Sequence, residues 1–116
     1  MPREYKLYIE DITESIKNIE DYTKSVTHDS FVKNKLIIDG VVRNLEIIGE
    51  ATKEIPSDVR KKHPEMDWKK IIGLRDVIAH RYFGVDAEII WDIVKNKIPE
   101  LKSSIINIHK ELNSNG

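Results

Sequence analysis

The sequence predicts an all-α protein, an up-and-down bundle of four to five helices that forms a single domain over residues 1–116. Apolar residues recur every three or four positions along most of the chain, which is the period of a helix with one face in a core. Capping residues and prolines separate these stretches. A length of 116 residues, 40% of them hydrophobic and 34% charged, suits one domain with one core. Such a core is small, so a second copy of the chain would add stability, and we expect a homodimer.

The first predicted helix covers about residues 4–25. Steps of three and four residues place its apolar side chains on one face, and charged residues cover the rest. We predict no chemistry on this helix. Its apolar stripe consists of Tyr5, Tyr8, Ile9, Ile12, Ile16 and Ile19.

The second predicted helix begins near Asp29 or Ser30, either of which is a good N-cap, and runs to about Ile55. His28, just before it, is expected in a surface loop. More than half of the girth of this helix is apolar, so it needs cover on two sides, one of which a second subunit can provide. Its main stripe consists of Phe31, Ile38, Val41, Leu45 and Ile48.

A polar row on the second helix admits two interpretations. Arg43, Glu46 and Glu50 lie on neighbouring turns, where opposite charges three or four residues apart can pair. The favoured interpretation is an exposed row of ion pairs, each contributing about 0.2–0.5 kcal/mol. The alternative is a polar row that lines a functional cleft.

The third predicted helix follows a connector over residues 56–65, in which His63 is expected in a loop because Pro64 disfavours helix before it. Asp67 is the predicted N-cap, and the helix runs from Trp68 to about His80. Arg75 falls on the apolar stripe of this helix, where an unpaired guanidinium is costly. Arg75 therefore has an anionic partner or faces a cleft. The other stripe positions are Trp68, Ile71, Ile72, Ile78 and Ala79.

Two further helices complete the predicted bundle. Asp86 is the expected N-cap of the fourth, and Trp91 is expected to cover a seam between helices. Pro99 is expected in the first turn of the fifth, where its missing N–H is tolerated. His109 on the fifth helix is expected to be exposed. The predicted apolar stripe of that helix consists of Leu101, Ile105, Ile108 and Leu112.

Composition excludes several classes of protein. The chain has no cysteine, so disulfides and thiolate chemistry are excluded, and a reducing cytoplasm is the expected location. Its four histidines lack the spacing of a helical metal pair, so we predict neither a metal nor a cofactor. A net charge of −1 does not indicate broad nucleic-acid binding. No apolar run is long enough to span a membrane, and Met1–Glu4 lacks the pattern of a signal peptide.

The strongest chemical signal is the group formed by Arg75, His80 and Tyr82. Arginine binds phosphate through a planar set of donors, and histidine exchanges protons near neutrality. Together they can hold a phosphodiester and move its protons without a metal. The plainer interpretation is a surface charge and a helix C-cap. On a regular helix Arg75 and His80 are about 140° apart, so they converge only if the helix ends near His80 or two chains face each other.

Three segments resemble the HEPN ribonucleases, and within them the HepT-like branch. Arg75, His80 and Tyr82 match the R-x4-H-x-Y motif, and Asp76 matches the polar residue usual after its arginine. The runs 43–51 and 68–76 are similar to further signatures of that branch. The resemblance covers about residues 5–112.

This resemblance implies an all-α HEPN-like bundle that dimerises, with both motifs in one cleft. It implies an RNA endonuclease, the toxin of a type II or type VII-like toxin–antitoxin module, with a minimal nucleotidyltransferase as antitoxin. Arg75, His80 and Asp76 would be catalytic, and Tyr82 would accept AMP from the antitoxin. Arg43, Glu46, Glu50 and Arg81 would line the cleft. The alternative is a catalytically inactive helical module that binds RNA, nucleotide or the antitoxin.

Overall fold

The computed structural model describes residues 4–74, 76, 78 and 87–114, and these form helices and connections without a strand. The all-α prediction is confirmed. The predicted cap at Asp86 and the predicted end of the third helix at His80 lie outside the described residues. The elements are α1 (Tyr5–Thr23), α2 (His28–Lys33), α3 (Lys35–Lys53), α4 (Ser57–Lys61), α5 (Trp68–Ile72), α6 (Ala87–Asp92), a π-helical turn (Ile93–Lys97) and α7 (Ile98–Ser114).

The core lies between α1, α3 and α7, and the predicted stripes supply most of it. The most extensive packing joins α1 to α3, and α7 also packs against α1. Each buried aliphatic side chain contributes about 1.5–3 kcal/mol relative to an exposed one, so these stripes hold the bundle together. Their fully buried members include Ile9, Ile12 and Ile19 of α1, Val41, Leu45 and Ile48 of α3, and Leu101, Ile105 and Ile108 of α7.

The predicted second helix is in fact two helices, and this prediction was wrong at Asn34. Asn34 has φ −105° and ψ 90°, which interrupts the helix, and its Oδ1 accepts a hydrogen bond from Ile37 N at 3.1 Å. Asparagine competes with the helix ladder in this way because its side chain bonds nearby backbone groups. The predicted N-cap was also misplaced: Thr27 caps α2 in a reciprocal box with Ser30. The break lets α2 turn and bury Phe31 in the core.

The fourth and fifth predicted helices form one uninterrupted helical run from 87 to 114. Pro99 lies in the first turn of α7 as predicted, but no loop precedes it. The chain instead widens into the π-helical turn, where Ile98 N donates to Ile93 O, five residues back. Pro99 cannot donate a backbone hydrogen bond, and its ring crowds the carbonyl four residues earlier. A wider turn relieves that crowding without ending the helix.

A polar contact and two aromatic contacts join α2 to α6. His28 Nε2 lies 2.6 Å from Glu88 Oε2, and its ring meets Trp91 edge-on at 5.8 Å between centroids. Phe31 packs against the same indole at 5.1 Å. Trp91 thus covers a seam, as predicted. His28 is the first residue of α2 and is half-buried, so its placement in a surface loop was wrong.

The His28–Glu88 contact predicts a dependence of stability on pH. The hydrogen bond that His28 donates to the Glu88 carboxylate raises the pKa of His28 above its ordinary 6.5, against a smaller opposing effect of desolvation and with further support from Asp29. Because the folded-state pKa exceeds the unfolded one, this stability is fully present below the unfolded pKa and is lost as pH rises through the folded pKa. The loss in free energy of unfolding caused by His28→Gln is therefore expected to be larger at about pH 5.5 than at about pH 9. Urea unfolding at both pH values measures it, and an equal loss at both would contradict the ion pair.

Candidate active site

Trp68, the first residue of α5, holds in place the connection that leads to the motif segment, the part of the chain that contains Arg75, His80 and Tyr82. Its side chain is 8% exposed, and Nε1 donates to Arg60 O at 3.0 Å and to His63 O at 2.9 Å. The predicted cap is confirmed, since Asp67 Oδ1 accepts from Lys70 N at 3.1 Å. One indole thus fixes the connector between α4 and α5 and sets where the motif-bearing segment begins.

His63 is a buried residue that sequence reasoning missed. It lies in a connection, as predicted, but is only 5% exposed. Its Nε2 is 3.3 Å from Glu111 Oε2 and its Nδ1 is 3.5 Å from Glu65 Oε1. The imidazole therefore ties the connector before α5 to α7. No periodic pattern marks such a residue, because its burial depends on a helix almost fifty positions away in the chain.

The described part of the motif segment has helical periodicity. Leu74 and Ile78 are buried, whereas Asp76 between them is exposed, and all three positions are helical. Residues four apart share a helix face, so Asp76 lies on the solvent side of the segment. Trp68 and Ile71 of the predicted stripe are buried, Ile72 is half-buried, and Leu74 is a buried residue that the predicted stripe omitted.

Four predicted site residues lie outside the described residues: Arg75, His80, Arg81 and Tyr82. The stripe position Ala79 lies outside them as well. The convergence of Arg75 and His80 therefore stays a prediction. Within the described ranges, no group of three or more histidine or acidic side chains is arranged to hold a metal ion.

The polar row of α3 divides into two parts. Arg43 Nη1 lies 3.9 Å from Glu46 Oε2, and the arginine side chain is 71% exposed. This pair matches the favoured interpretation of an exposed ion pair worth a few tenths of a kcal/mol, about 0.2–0.5. Glu50 behaves differently, because it lines a cavity between α1 and α3.

That cavity has a volume of about 380 Å³ and is open to solvent. Three carboxylates and one ammonium group line it, so these side chains alone do not favour a phosphate. A phosphodiester would need additional positive charge there. The lining residues are Tyr8, Asp11, Ile47, Glu50, Ala51, Lys53 and Glu54.

A sequence model of the family described as "Ribonuclease HepT-like" matches residues 12–108. The chain belongs to the HepT-like ribonuclease family. The matched range begins inside α1 and ends inside α7, so it includes most of the core, the α3 side of the acidic cavity and the whole motif segment. The family resemblance inferred from the three sequence segments is confirmed.

Individual relatives support the HepT-like assignment over nearly the whole chain. A protein of Thermococcus cleftensis, named as a probable ribonuclease HepT, is 43% identical over 95% of this chain and 100% of its own length. A Methanocaldococcus jannaschii protein, named provisionally as an RNase, is 41% identical over 89% of this chain and 94% of its own length.

One relative is much longer than this HepT-like chain. It is a Methanocaldococcus jannaschii protein named as a gamma-glutamylcyclotransferase and, provisionally, as an RNase, with 44% identity over 99% of this chain. The chain spans about half of that relative, 52% of its length. No solved structure matches the chain. No helix in the described ranges of this HepT-like protein has the length and apolar character needed to cross a bilayer.

Proposed function

We propose that this chain is a metal-independent endoribonuclease and the toxin of a type II or type VII-like toxin–antitoxin module, formed by a single HEPN-like domain over residues 1–116. The observation that carries the proposal is the presence of Arg75, His80 and Tyr82, at R-x4-H-x-Y spacing, inside the range matched by a ribonuclease family. RNA is the substrate, and no protein-bound metal takes part.

In the proposed reaction the 2′-hydroxyl of RNA attacks the adjacent phosphorus. The O2′–P bond forms and the P–O5′ bond breaks, which gives a 2′,3′-cyclic phosphate and a free 5′-hydroxyl. His80 takes the proton from the 2′-hydroxyl, and an imidazolium returns one to the departing 5′-oxygen, a role worth about 10²–10⁴-fold. Arg75 binds the phosphate and offsets the charge that builds up in the transition state. Asp76, on the solvent side of its helix, orients one of these groups.

The proposed site lies between two copies of the chain. Arg75 and His80 are about 140° apart on a regular helix, so one copy alone does not bring them onto one face. A symmetric dimer supplies both groups to both clefts. Ile37, Val42 and Ile47 on α3 are each only partly buried within one chain, which supports a second subunit as their cover. Leu36, at the start of the same helix, is 83% exposed, which supports it further.

Cleavage of RNA in the presence of chelator tests the proposed chemistry. Purified wild-type protein is expected to cut RNA at the same rate with and without EDTA, because its nucleophile and its acid–base groups come from RNA and protein. The ends are expected to be 2′,3′-cyclic phosphate and 5′-hydroxyl, identified by mass spectrometry of the fragments. Loss of cleavage in EDTA with recovery in Mg²⁺ would contradict the mechanism.

AMP transfer to Tyr82 is the proposed means of silencing. AMP adds bulk and negative charge two residues from His80, so it blocks the cleft and competes with RNA for Arg75. Co-expression with a minimal nucleotidyltransferase is expected to add one adenylyl group per chain, located on the Tyr82 peptide by tandem mass spectrometry. Tyr82→Phe is the matched control and is expected to stay unmodified. Adenylation of Tyr5, Tyr8 or Tyr22 in place of Tyr82 would overturn this assignment.

The alternative function is a catalytically inactive module that binds RNA, nucleotide or the antitoxin. The near-neutral charge of the chain and the acidic lining of the α1–α3 cavity favour it. Toxicity on expression separates the two functions. Growth arrest that is lost in both Arg75→Ala and His80→Ala supports the nuclease, and growth arrest retained in both supports the binding module.

A further inference from the structure

A groove runs between α1 and α7, away from the α1–α3 cavity. Thr13 Oγ1 lies 3.0 Å from His109 Nε2, and Lys102 Nζ lies 2.8 Å from Glu20 Oε2. The second contact lies seven residues later than the first along α1 but seven residues earlier along α7, so the two helices run antiparallel. We call this surface, from Thr13 to Lys24 along α1, the α1–α7 groove. Its length is about 17 Å at about 1.5 Å per residue, or three helical turns.

The floor of the α1–α7 groove is aliphatic. A cavity of about 400 Å³ near the π-helical turn is floored by Ile19, Val94 and Ile98. A smaller notch of about 140 Å³ lies beside Ile106, which is 43% exposed despite being apolar. Glu20 and Lys102 line both spaces, so the two are neighbours in one continuous groove. Ile19, Val94 and Ile98 are themselves buried, so an apolar partner gains free energy mainly by covering Ile106.

The end of the groove at the π-helical turn is basic. Lys24 and Lys95 line it and have no carboxylate partner among the described residues. Lys95 is held over the Trp91 ring, with Nζ 4.6 Å from the ring centroid. Lys102, in contrast, is already paired with Glu20. Two ammonium groups with no carboxylate partner in the described part of the chain therefore flank an apolar floor.

The lining of the groove favours protein over nucleic acid as its occupant. Single-stranded RNA is usually held by aromatic side chains on which its bases stack, and neither space is lined by phenylalanine, tyrosine or tryptophan. The groove instead combines an apolar lining with two lysines, Lys24 and Lys95. An amphipathic helix meets both conditions, because its apolar face fills an apolar groove and its flanking carboxylates reach the lysines.

We propose that the α1–α7 groove is the docking site for an acidic amphipathic helix of a partner protein. An apolar side chain of that helix occupies the notch beside Ile106, and its carboxylates pair with Lys24 and Lys95. Charge complementarity and the aliphatic floor together specify the occupant. The inference is independent of the proposed nuclease function, since it uses none of the motif residues.

An unbiased selection tests which chemistry the groove prefers. A displayed library of helix-forming peptides, about four turns long, is selected on the full wild-type chain. The enriched peptides are expected to have leucine or isoleucine at three- and four-residue steps and glutamate or aspartate beside that stripe. Their affinity, measured by fluorescence anisotropy, is expected to fall by at least about fivefold in the double variant Lys24→Glu/Lys95→Glu, because reversed charges repel the carboxylates. The double variant Lys33→Glu/Lys61→Glu changes the net charge equally at exposed positions outside the groove and is expected to retain the affinity.

A reporter at Ile106 locates the bound peptide. The natural chain has no cysteine, so Ile106→Cys and Lys33→Cys each give one attachment site for an environment-sensitive dye. The selected peptide is expected to shift the emission at position 106 and not at position 33. An equal loss of affinity in both double variants, or an absent shift at 106, would overturn the proposal. Displacement of the peptide by a uridine oligonucleotide, with the same dependence on Lys24 and Lys95, would overturn it in favour of RNA.

Discussion

His80→Ala is expected to slow RNA cleavage by about 10²–10⁴-fold, because it removes the group that exchanges protons with the 2′-hydroxyl and the departing 5′-oxygen. The measurement is the single-turnover rate on an RNA that the wild-type protein cuts. Circular dichroism and thermal unfolding of the variant are expected to match those of wild type. A loss of rate together with a loss of fold would be a stability effect and would not support the role.

Added imidazole provides the sharper control. In the His80→Ala protein, millimolar imidazole is expected to restore part of the rate, and the restored rate should rise with the fraction of free base. The same concentrations are expected to leave the wild-type rate unchanged. Undiminished cleavage by purified His80→Ala protein would reject His80 as the proton-transfer group.

The largest expected effect on stability is that of Trp68→Ala, a loss of about 3–5 kcal/mol in the free energy of unfolding. The indole is buried, and its N–H is the donor for the carbonyls of Arg60 and His63. Its removal therefore leaves a cavity and releases the connector before α5. Urea unfolding followed by far-ultraviolet circular dichroism measures the loss.

Trp68→Phe separates the two parts of that effect. The phenyl ring keeps most of the apolar contact but leaves two carbonyls without their donor, which costs about 1–3 kcal/mol. The variant is therefore expected to lie between wild type and Trp68→Ala. If Trp68→Phe were as stable as wild type, the hydrogen bonds of the indole would contribute nothing, and Trp68 would act through packing alone.

The sequence predicted best what depends on helical periodicity. The stripes of α1, α3 and α7 were identified because burial of one helix face repeats at a fixed step, and those side chains form the core. The break at Asn34 was missed because the apolar pattern continues across it. The break itself depends on one side-chain hydrogen bond, which Ile37 N donates to Asn34 Oδ1. The uninterrupted helical run through Pro99 was missed because the π-helical turn that accommodates the proline leaves no signal in the apolar pattern.

Only part of the candidate site was predictable from the sequence: the residue types and their spacing, but not their surroundings. The residue types and the spacing of Arg75, His80 and Tyr82 indicate phosphodiester chemistry without any structure. The surroundings do not follow from spacing, because they depend on which distant helices meet. Glu50 lines a cavity while Arg43 and Glu46 form an exposed pair, although all three share one predicted row. His63 likewise owes its carboxylate neighbours to the packing of α7 against the connector.

The π-helical turn determines where the chain tolerates a change in length. Such a turn is an α-helix with one surplus residue. Deleting a residue between the turn and Ile105 would rotate everything after it by about 100° and carry Ile105 and Ile108 out of the core. Deleting one within Ile93–Lys97 removes the surplus and leaves both flanking faces in register. Alignment gaps of a single position among related chains are therefore expected to collect at this turn.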